Sequence, residues 1–197
     1  MNKKKLITII LLSLVLFLIS CKPYFSMNDK EKIAYTIKKY AKSLEAGDYK
    51  QAFSILTFAH QPQGKNFDLF KMAQEMMAKQ YTDIRYEVND IKISGNFAQA
   101  QVDIILVAEQ PVPRKMKIVS QFFFVRPDKK EAWLMVPGNQ QSRKIFYDLF
   151  KEKIKDSLEY KEDKTYWDIN GRWIDQKDLK FEDNKIFYKK DGEWVEK

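Results

Sequence analysis

The spacing of apolar residues changes once along this chain, and that change limits the folds open to it. In the first part apolar side chains recur every three or four positions, which predicts helices over about 29–46, 48–58 and 67–80. Further on they recur every second position, and the stretch from Ala98 to Ala108 alternates as a half-buried strand does. Helices followed by alternating strands predict an α+β fold.

Four strands are predicted after the helices. Short turns such as Gly95-Asn96 join them, which favours an antiparallel meander. Asn89-Asp90 interrupt the alternation of the first strand and indicate a β-bulge. The third strand is apolar on both sides, so we expect other elements to cover both faces of its centre. The N-terminal helices should therefore pack on a curved antiparallel four-stranded meander, with strands over about 84–93, 98–108, 116–125 and 132–136.

The predicted helices have recognisable ends. Asn28 or Asp29 is expected to cap the first helix, Gly47 to end it in a left-handed conformation, and Asp48 to start the second. The methionines of the third helix are typical of core filler. This helix is expected to bury some of its apolar residues, drawn from Leu69, Phe70, Ala73, Met76 and Met77.

A second set of elements follows Pro137-Gly138. The helical period returns over about 140–160, and turn residues then separate short strands rich in aromatic side chains. Asn170-Gly171 suits a type I′ hairpin turn. We therefore expect a connecting helix within 139–160 and a small β-meander over 161–197, appended to the domain of helices and sheet over 29–138. The meander is too small for much of a core, so it should pack on the rest, and the alternation of its aromatic residues favours their burial. An exposed binding patch of these aromatic residues is the alternative.

Residues 1–20 have the layout of a secretion signal. Three lysines precede the run from Leu6 to Ile19, which is apolar except for Thr8 and Ser13. As a helix this run would span roughly 21 Å, short of the ~30 Å hydrocarbon core, so a permanent membrane span is the weaker interpretation. The run ends in Leu18-Ile19-Ser20-Cys21, which resembles the lipobox of bacterial lipoproteins.

The lipobox resemblance implies a lipid anchor at Cys21. Diacylglycerol would be joined to the sulfur by a thioether, the chain would be cleaved before Cys21, and the new N-terminus would be acylated. Two or three acyl chains hold a protein firmly on a bilayer, whereas one chain does not. Residues 21–28 would then be a short tether on a bacterial membrane, facing the periplasm or the cell exterior. An uncleaved anchor with an incidental cysteine is the other interpretation.

The order of elements over 29–138 carries a second resemblance. Together with Gly47-Asp48-Tyr49-Lys50-Gln51-Ala52 at the start of the second predicted helix, it is similar to nuclear-transport-factor-2-like domains, which have a cone-shaped, cystatin-like fold. The resemblance implies a concave sheet with helices against it. An apolar ligand cavity on that concave side would be lined by aromatic residues, namely Tyr86, Phe122, Phe124 and Trp133.

Composition excludes several function classes. The formal net charge of +8 falls to +5 when Lys3, Lys4 and Lys5 leave with the signal. Basic and acidic residues are interleaved, which is typical of a solvated surface, so we expect no nucleic-acid partner. The sequence has no glycine-rich nucleotide motif, phosphate loop or Gly-x-Ser-x-Gly elbow, and we expect neither a cofactor nor an enzymatic activity.

Few residues suit a metal or acid–base chemistry. Cys21 is the sole cysteine and His60 the sole histidine, which leaves too few ligands for a zinc site, so we expect no metal. His60 falls in a Gln/Pro/Gly-rich break and is expected to be a surface-loop residue. Asp103 alternates outward from its strand and should be solvated. An acidic cluster near residue 160 lacks EF-hand spacing and is predicted to be a solvated helix end, with members Asp156, Glu159, Glu162 and Asp163.

Three function hypotheses remain. The first is a non-catalytic, lipid-anchored envelope protein that binds another envelope protein or a peptide. The second is a binder of a small apolar ligand in the concave cavity. An enzyme of the cone-shaped fold is third, because a fold alone does not carry chemistry. A cone filled by its own side chains would favour the first, and an open cavity of ~300 Å³ or more with convergent polar groups would favour the second or third.

Overall fold

The structure is a computed structural model that describes residues 24–57, 67–109, 113–154, 157–182 and 185–197, with Phe25 described in its backbone alone. Four α-helices lie within these ranges, namely α1 (Asp29–Glu45), α2 (Tyr49–Ser54), α3 (Phe67–Gln80) and α4 (Gln140–Phe150). The described strands are β1 (Asp83–Ser94), β2 (Phe97–Ala108), β3 (Arg114–Val125), β4 (Leu134–Met135), β5 (Lys164–Ile169), β6 (Arg172–Asp175), β7 (Leu179–Glu182), β8 (Lys185–Lys190) and β9 (Glu193–Glu196).

The fold class is α+β, as predicted. Helices come first and a curved antiparallel sheet follows, then α4 and a small C-terminal antiparallel sheet. The main sheet has the order β1-β2-β3-β5-β6, and β4 pairs with the end of β3. It therefore holds six strands, two more than the meander predicted from the sequence.

The ends of α1 and α2 follow from three residues. Asn28 accepts a hydrogen bond from the Glu31 amide and Glu31 accepts one from the Asn28 amide, which is a complete capping box. Gly47 has φ +69°, so it ends α1 in the left-handed region that glycine adopts without strain. Asp48 then caps α2 through the Gln51 amide. The predicted caps are confirmed, and α2 ends at Ser54, earlier than expected.

Pairing of β2 with β3 gives the sheet two distinct faces. The helix face carries Ala98, Ala100 and Val102, which are fully buried under α1 and α2. The back face carries Phe123, whose ring lies 5.8 Å from the ring of Phe146 on α4. The centre of β3 is thus covered twice, as its apolar pattern predicted, and the bulge in β1 falls at Asn89, as expected.

The predicted C-terminal meander is divided in the structure. Its first hairpin, β5–β6, joins the main sheet, and only β7–β9 form a separate three-stranded sheet. The reason lies in β3, because β4 pairs with only its last two residues and leaves Met116 to Val119 free to pair with β5. Phe181 and Trp194 of the separate sheet are exposed, so the favoured burial of the tail aromatics was wrong for these two.

The connecting helix is shorter than predicted. It ends at Phe150, and the chain then crosses the back face, where Ile154 and Leu158 are buried. Gln99 donates its side-chain amide to the Glu159 carbonyl, and the Lys161 amide donates to Gln121 at 2.6 Å. These side-chain amides hold an irregular segment where the sequence predicted almost three more helical turns.

Arg143 joins α4 to the sheet from a buried position. Its side chain is only 2% exposed, and its two terminal nitrogens donate to the Ser120 hydroxyl and to the Asp163 carboxylate. Its guanidinium also lies 5.9 Å from the ring of Phe122. Three separate segments therefore meet on one cation. Asp163 was predicted to be solvated with its acidic neighbours; instead it is the counterion of this arginine.

We expect Arg143→Met to destabilise the protein by about 3 kcal/mol, since it leaves Asp163 and Ser120 without their donor and breaks a buried ion pair. The free energy of unfolding in urea measures this. Lys144→Met removes an equal charge from the exposed neighbouring position and should change that free energy by less than about 0.5 kcal/mol. Equal effects of the two variants would contradict the structural role of Arg143.

Candidate functional site

A cavity of about 540 Å³ lies between α3 and the helix face of the main sheet. α1 and α2 close one end of it, and the chain from Pro137 to Asn139 borders the other side. Its wall is mostly apolar. The side chains that contribute to it from the sheet are Tyr86, Ile104, Leu106, Ile118, Phe122 and Met135.

Helix α3 forms the roof of the cavity. Phe70, Ala73 and Met77 face inward, yet none of the residues of α3 is buried. Leu69, Met72 and Met76 are 62%, 54% and 64% exposed. The prediction that α3 buries its apolar face was wrong, because the helix stands over a cavity and does not press against the sheet.

Two tyrosines provide the central polar groups of the cavity. The rings of Tyr40 and Tyr86 meet edge to face, with centroids 6.2 Å apart. Burial raises the pKa of the Tyr86 phenol to about 12. Burial also raises the pKa of Tyr40, and the neighbouring Tyr86 adds to that rise. Both phenols therefore stay neutral at physiological pH and act as hydrogen-bonding groups without charge.

The remaining polar groups of the described lining are amides. Gln74 reaches the cavity from α3, and Asn139 lies at its border. Among the described lining residues there is no Lys, Arg, Asp or Glu. The cavity thus offers phenols and amides within an apolar wall, an arrangement that suits an uncharged ligand with one or two hydrogen-bonding groups.

The four residues expected to line a cavity divide into two pairs. Tyr86 and Phe122 do line it, with ring centroids 6.3 Å apart. Phe124 and Trp133 lie in the core and are not among its lining residues. Trp133 is covered by Arg126, whose guanidinium lies 4.4 Å from its ring and pairs with Asp29 at 2.8 Å.

Sequence reasoning missed Ile104 and Ile118, although both positions carry a signal. They are opposite each other in the β2–β3 register and share the face of Val102 and Phe122. Alternation along the strands places them on that face, but only the position of α3 decides that they border a cavity and not a packed helix.

Most of the other residues singled out in the sequence do not line the cavity. Asp103 was expected to be solvated, but its side chain is 15% exposed, accepts a hydrogen bond from Asn89 at 2.9 Å and pairs with Lys117 at 3.6 Å. Cys21 and His60 lie outside the described residues. Within the described ranges no group of three or more His, Cys, Asp or Glu side chains is placed to hold a metal ion. Among the described helices none has the length and apolarity to cross a bilayer.

No protein-family model, no curated protein and no solved structure matches this chain. The cavity therefore has to be interpreted from its own residues. Its volume, its apolar wall and its neutral phenols are the observations available for that interpretation.

Tyr86 gives a testable dependence of stability on pH. Because its pKa is raised in the folded state, the folded protein holds the proton over the range in which the unfolded chain loses it, so stability falls as pH rises from 10 to 12. The free energy of unfolding in urea is measured at pH 9 and at pH 11.5. Its fall between these two pH values should be smaller by roughly 2 kcal/mol in Tyr86→Phe than in wild type. Tyr35→Phe, on the exposed side of α1, is the control, and a loss in Tyr86→Phe as large as in wild type would contradict the assignment.

Proposed function

We propose that this domain binds a small apolar ligand in the cavity beneath α3. The observation that carries the proposal is an apolar space of about 540 Å³ with two neutral phenols on its wall. This volume exceeds the ~300 Å³ expected of a small-molecule site. A cone filled by its own side chains would have favoured a protein-binding role, so the cavity moves ligand binding ahead of that alternative.

The lining indicates the chemistry of the ligand. A charged group would lose its hydration in this cavity without gaining a counterion from the described lining, which is unfavourable. Tyr40, Tyr86 and Gln74 instead offer neutral donors and acceptors. The ligand class is therefore an uncharged, largely hydrocarbon molecule with a hydroxyl, carbonyl or ester group.

The weak packing of α3 supports reversible binding. The start of α3 packs against the core through Phe67 and Phe70, but no residue of the helix is buried, so local displacement of its later turns costs little free energy. A bound apolar ligand would give Met77 a contact surface, and α3 would then close on it. The ligand-free and the ligand-bound protein would therefore differ mainly in the stability of α3.

A lipid anchor completes the proposal and rests on the resemblance of Leu18-Ile19-Ser20-Cys21 to a lipobox. The described chain begins at Tyr24, whose ring packs on Tyr35 at 5.6 Å. Three residues span at most about 11 Å, so an acylated Cys21 would hold the domain close to the membrane surface. An apolar ligand in the membrane would then be within reach.

Binding of another envelope protein is the second candidate. The observation in its favour is the exposed apolar surface of α4, where Ile145 and Leu149 face away from the core. They border a second cavity of about 490 Å³ with Val136 and Phe150. Such a surface is typical of interaction sites.

The ligand proposal is tested by filling the cavity. Ile118→Trp places an indole in the cavity, whereas Val119→Trp places the same group on the back face of the same strand. Binding of Nile red, an uncharged apolar probe, is followed by fluorescence. We expect Ile118→Trp to weaken binding at least about tenfold, because the added side chain occupies the ligand volume.

Both tryptophan variants are first checked for cooperative unfolding, so that loss of binding is not loss of fold. Val119→Trp should bind the probe as wild type does. Equal binding by wild type and Ile118→Trp would contradict the site, and organic extraction of protein purified from membranes would identify a natural occupant by mass spectrometry.

The anchor is tested separately at Cys21. We expect Cys21→Ala to abolish incorporation of radiolabelled palmitate and to release the protein from sedimented membranes, since no thiol remains for acylation. Ser20→Ala keeps a small residue before the cysteine and should retain both label and sedimentation. Unchanged labelling and sedimentation of Cys21→Ala would contradict the lipoprotein assignment.

A further inference from the structure

Strand β1 is an outer edge of the main sheet. It pairs with β2 on one side, and no described strand pairs with it on the other. α1 is set back from this edge, and a groove of about 410 Å³ runs between α1 and the stretch from Ile84 to Val88. A long open edge is a template for another strand, and soluble proteins usually shield such edges.

The bulge shields the β1 edge only from Asn89 onward. The bulge at Asn89 breaks the regular hydrogen-bonding ladder, which leaves Asp83 to Val88 as a straight stretch of six residues, about 20 Å long. Along this stretch every second residue turns its backbone N–H and C=O outward. An extended polypeptide matches such a row of alternating donors and acceptors.

The side chains of the stretch are complementary to themselves. If a second copy pairs antiparallel about Tyr86, then Ile84 lies opposite Val88 of the second copy and Arg85 lies opposite Glu87 of the second copy. The two-fold symmetry repeats both pairs, so the interface gains two apolar pairs and two ion pairs. On the helix face, Ile84, Tyr86 and Val88 of one copy would thus lie opposite Val88, Tyr86 and Ile84 of the other. On the back face, opposite charges would meet.

The charges on the back face favour such a partner. Glu87 lies directly opposite Asp103 in the β1–β2 register, and like charges in that position are destabilising. Lys117 pairs with Asp103 and not with Glu87. Arg85 pairs with Asp83 at 2.9 Å, and both side chains are about half exposed. An arginine from a second copy would supply the cation that Glu87 lacks among the described residues.

Helix α1 leaves room for its symmetry mate. The wall of the groove carries Ala34 and Ala41, whose small side chains leave space beside the open edge. Lys38 and Glu45 lie on the same wall and have opposite charges.

We propose that this chain forms a two-fold symmetric homodimer in which the β1 edges of two copies pair antiparallel about Tyr86, giving one continuous sheet. The partner is a second copy of this chain because the charge pattern of the stretch matches itself. This inference does not depend on the ligand of the cavity.

Charge reversal tests the proposal. The full-length protein, in a large excess of detergent micelles, is studied by analytical ultracentrifugation between about 1 and 100 µM. Arg85→Glu places Glu opposite Glu twice, and Glu87→Arg places Arg opposite Arg twice. We expect each variant to raise the dimer dissociation constant at least about tenfold. Lys92→Glu, on the same strand beyond the bulge, should leave it unchanged.

Restoration is the decisive part of the test. An equimolar mixture of Arg85→Glu with Glu87→Arg should form a heterodimer, because every charge again meets its opposite. The double variant with both substitutions should regain a homodimer. Recovery in the mixture also shows that both single variants are folded.

Three outcomes would overturn the proposal. A monomeric wild-type chain over this range would leave the edge to an extended peptide of another protein. A dimer that survives both single reversals would place the interface elsewhere. Failure of both the mixture and the double variant to dimerise would show that charge pairing across this edge does not hold two copies together.

Discussion

The unbroken pairing of β2 with β3 is the constraint on which the rest of this structure depends. Twelve residue pairs run from Phe97 with Val125 to Ala108 with Arg114 without a bulge. In such a ladder a slip of one residue would move every side chain to the opposite face. The register therefore decides that Ile118 faces the cavity while its neighbour Val119 lies on the back face of the sheet.

The helix face has a packed half and an open half. Around Ala98 and Ala100 small side chains let α1 and α2 lie close to the sheet, and Phe124 fills the space that remains. Around Ile104 and Ile118 the side chains border the cavity, and α3 stands over it. The cavity is therefore the part of the helix face that no tightly packed helix covers, and α3 can respond to whatever occupies it.

The local sequence pattern predicted the helices and strands themselves better than it predicted which elements pack or pair with each of them. The bounds of α3, the bulge at Asn89 and the double covering of β3 follow from spacing and turn chemistry, and the structure confirms them. Burial of Leu69 and Met76 was wrong, because periodicity shows that a helix has an apolar face but not what covers it. The joining of β5 to β3 was likewise invisible, since it depends on how little of the β3 edge β4 occupies.

Tyr86 connects the two proposals physically. Its ring lies against Tyr40 and Phe122 in the cavity, while its backbone is the centre of the open β1 edge. A ligand that fixes this ring therefore also restricts the strand that would meet a second copy. If both proposals hold, binding and dimerisation are linked, and linkage requires that each changes the free energy of the other by the same amount. Two cavities related by one axis would then lie on the same face of a single continuous sheet, with the paired tyrosines between them.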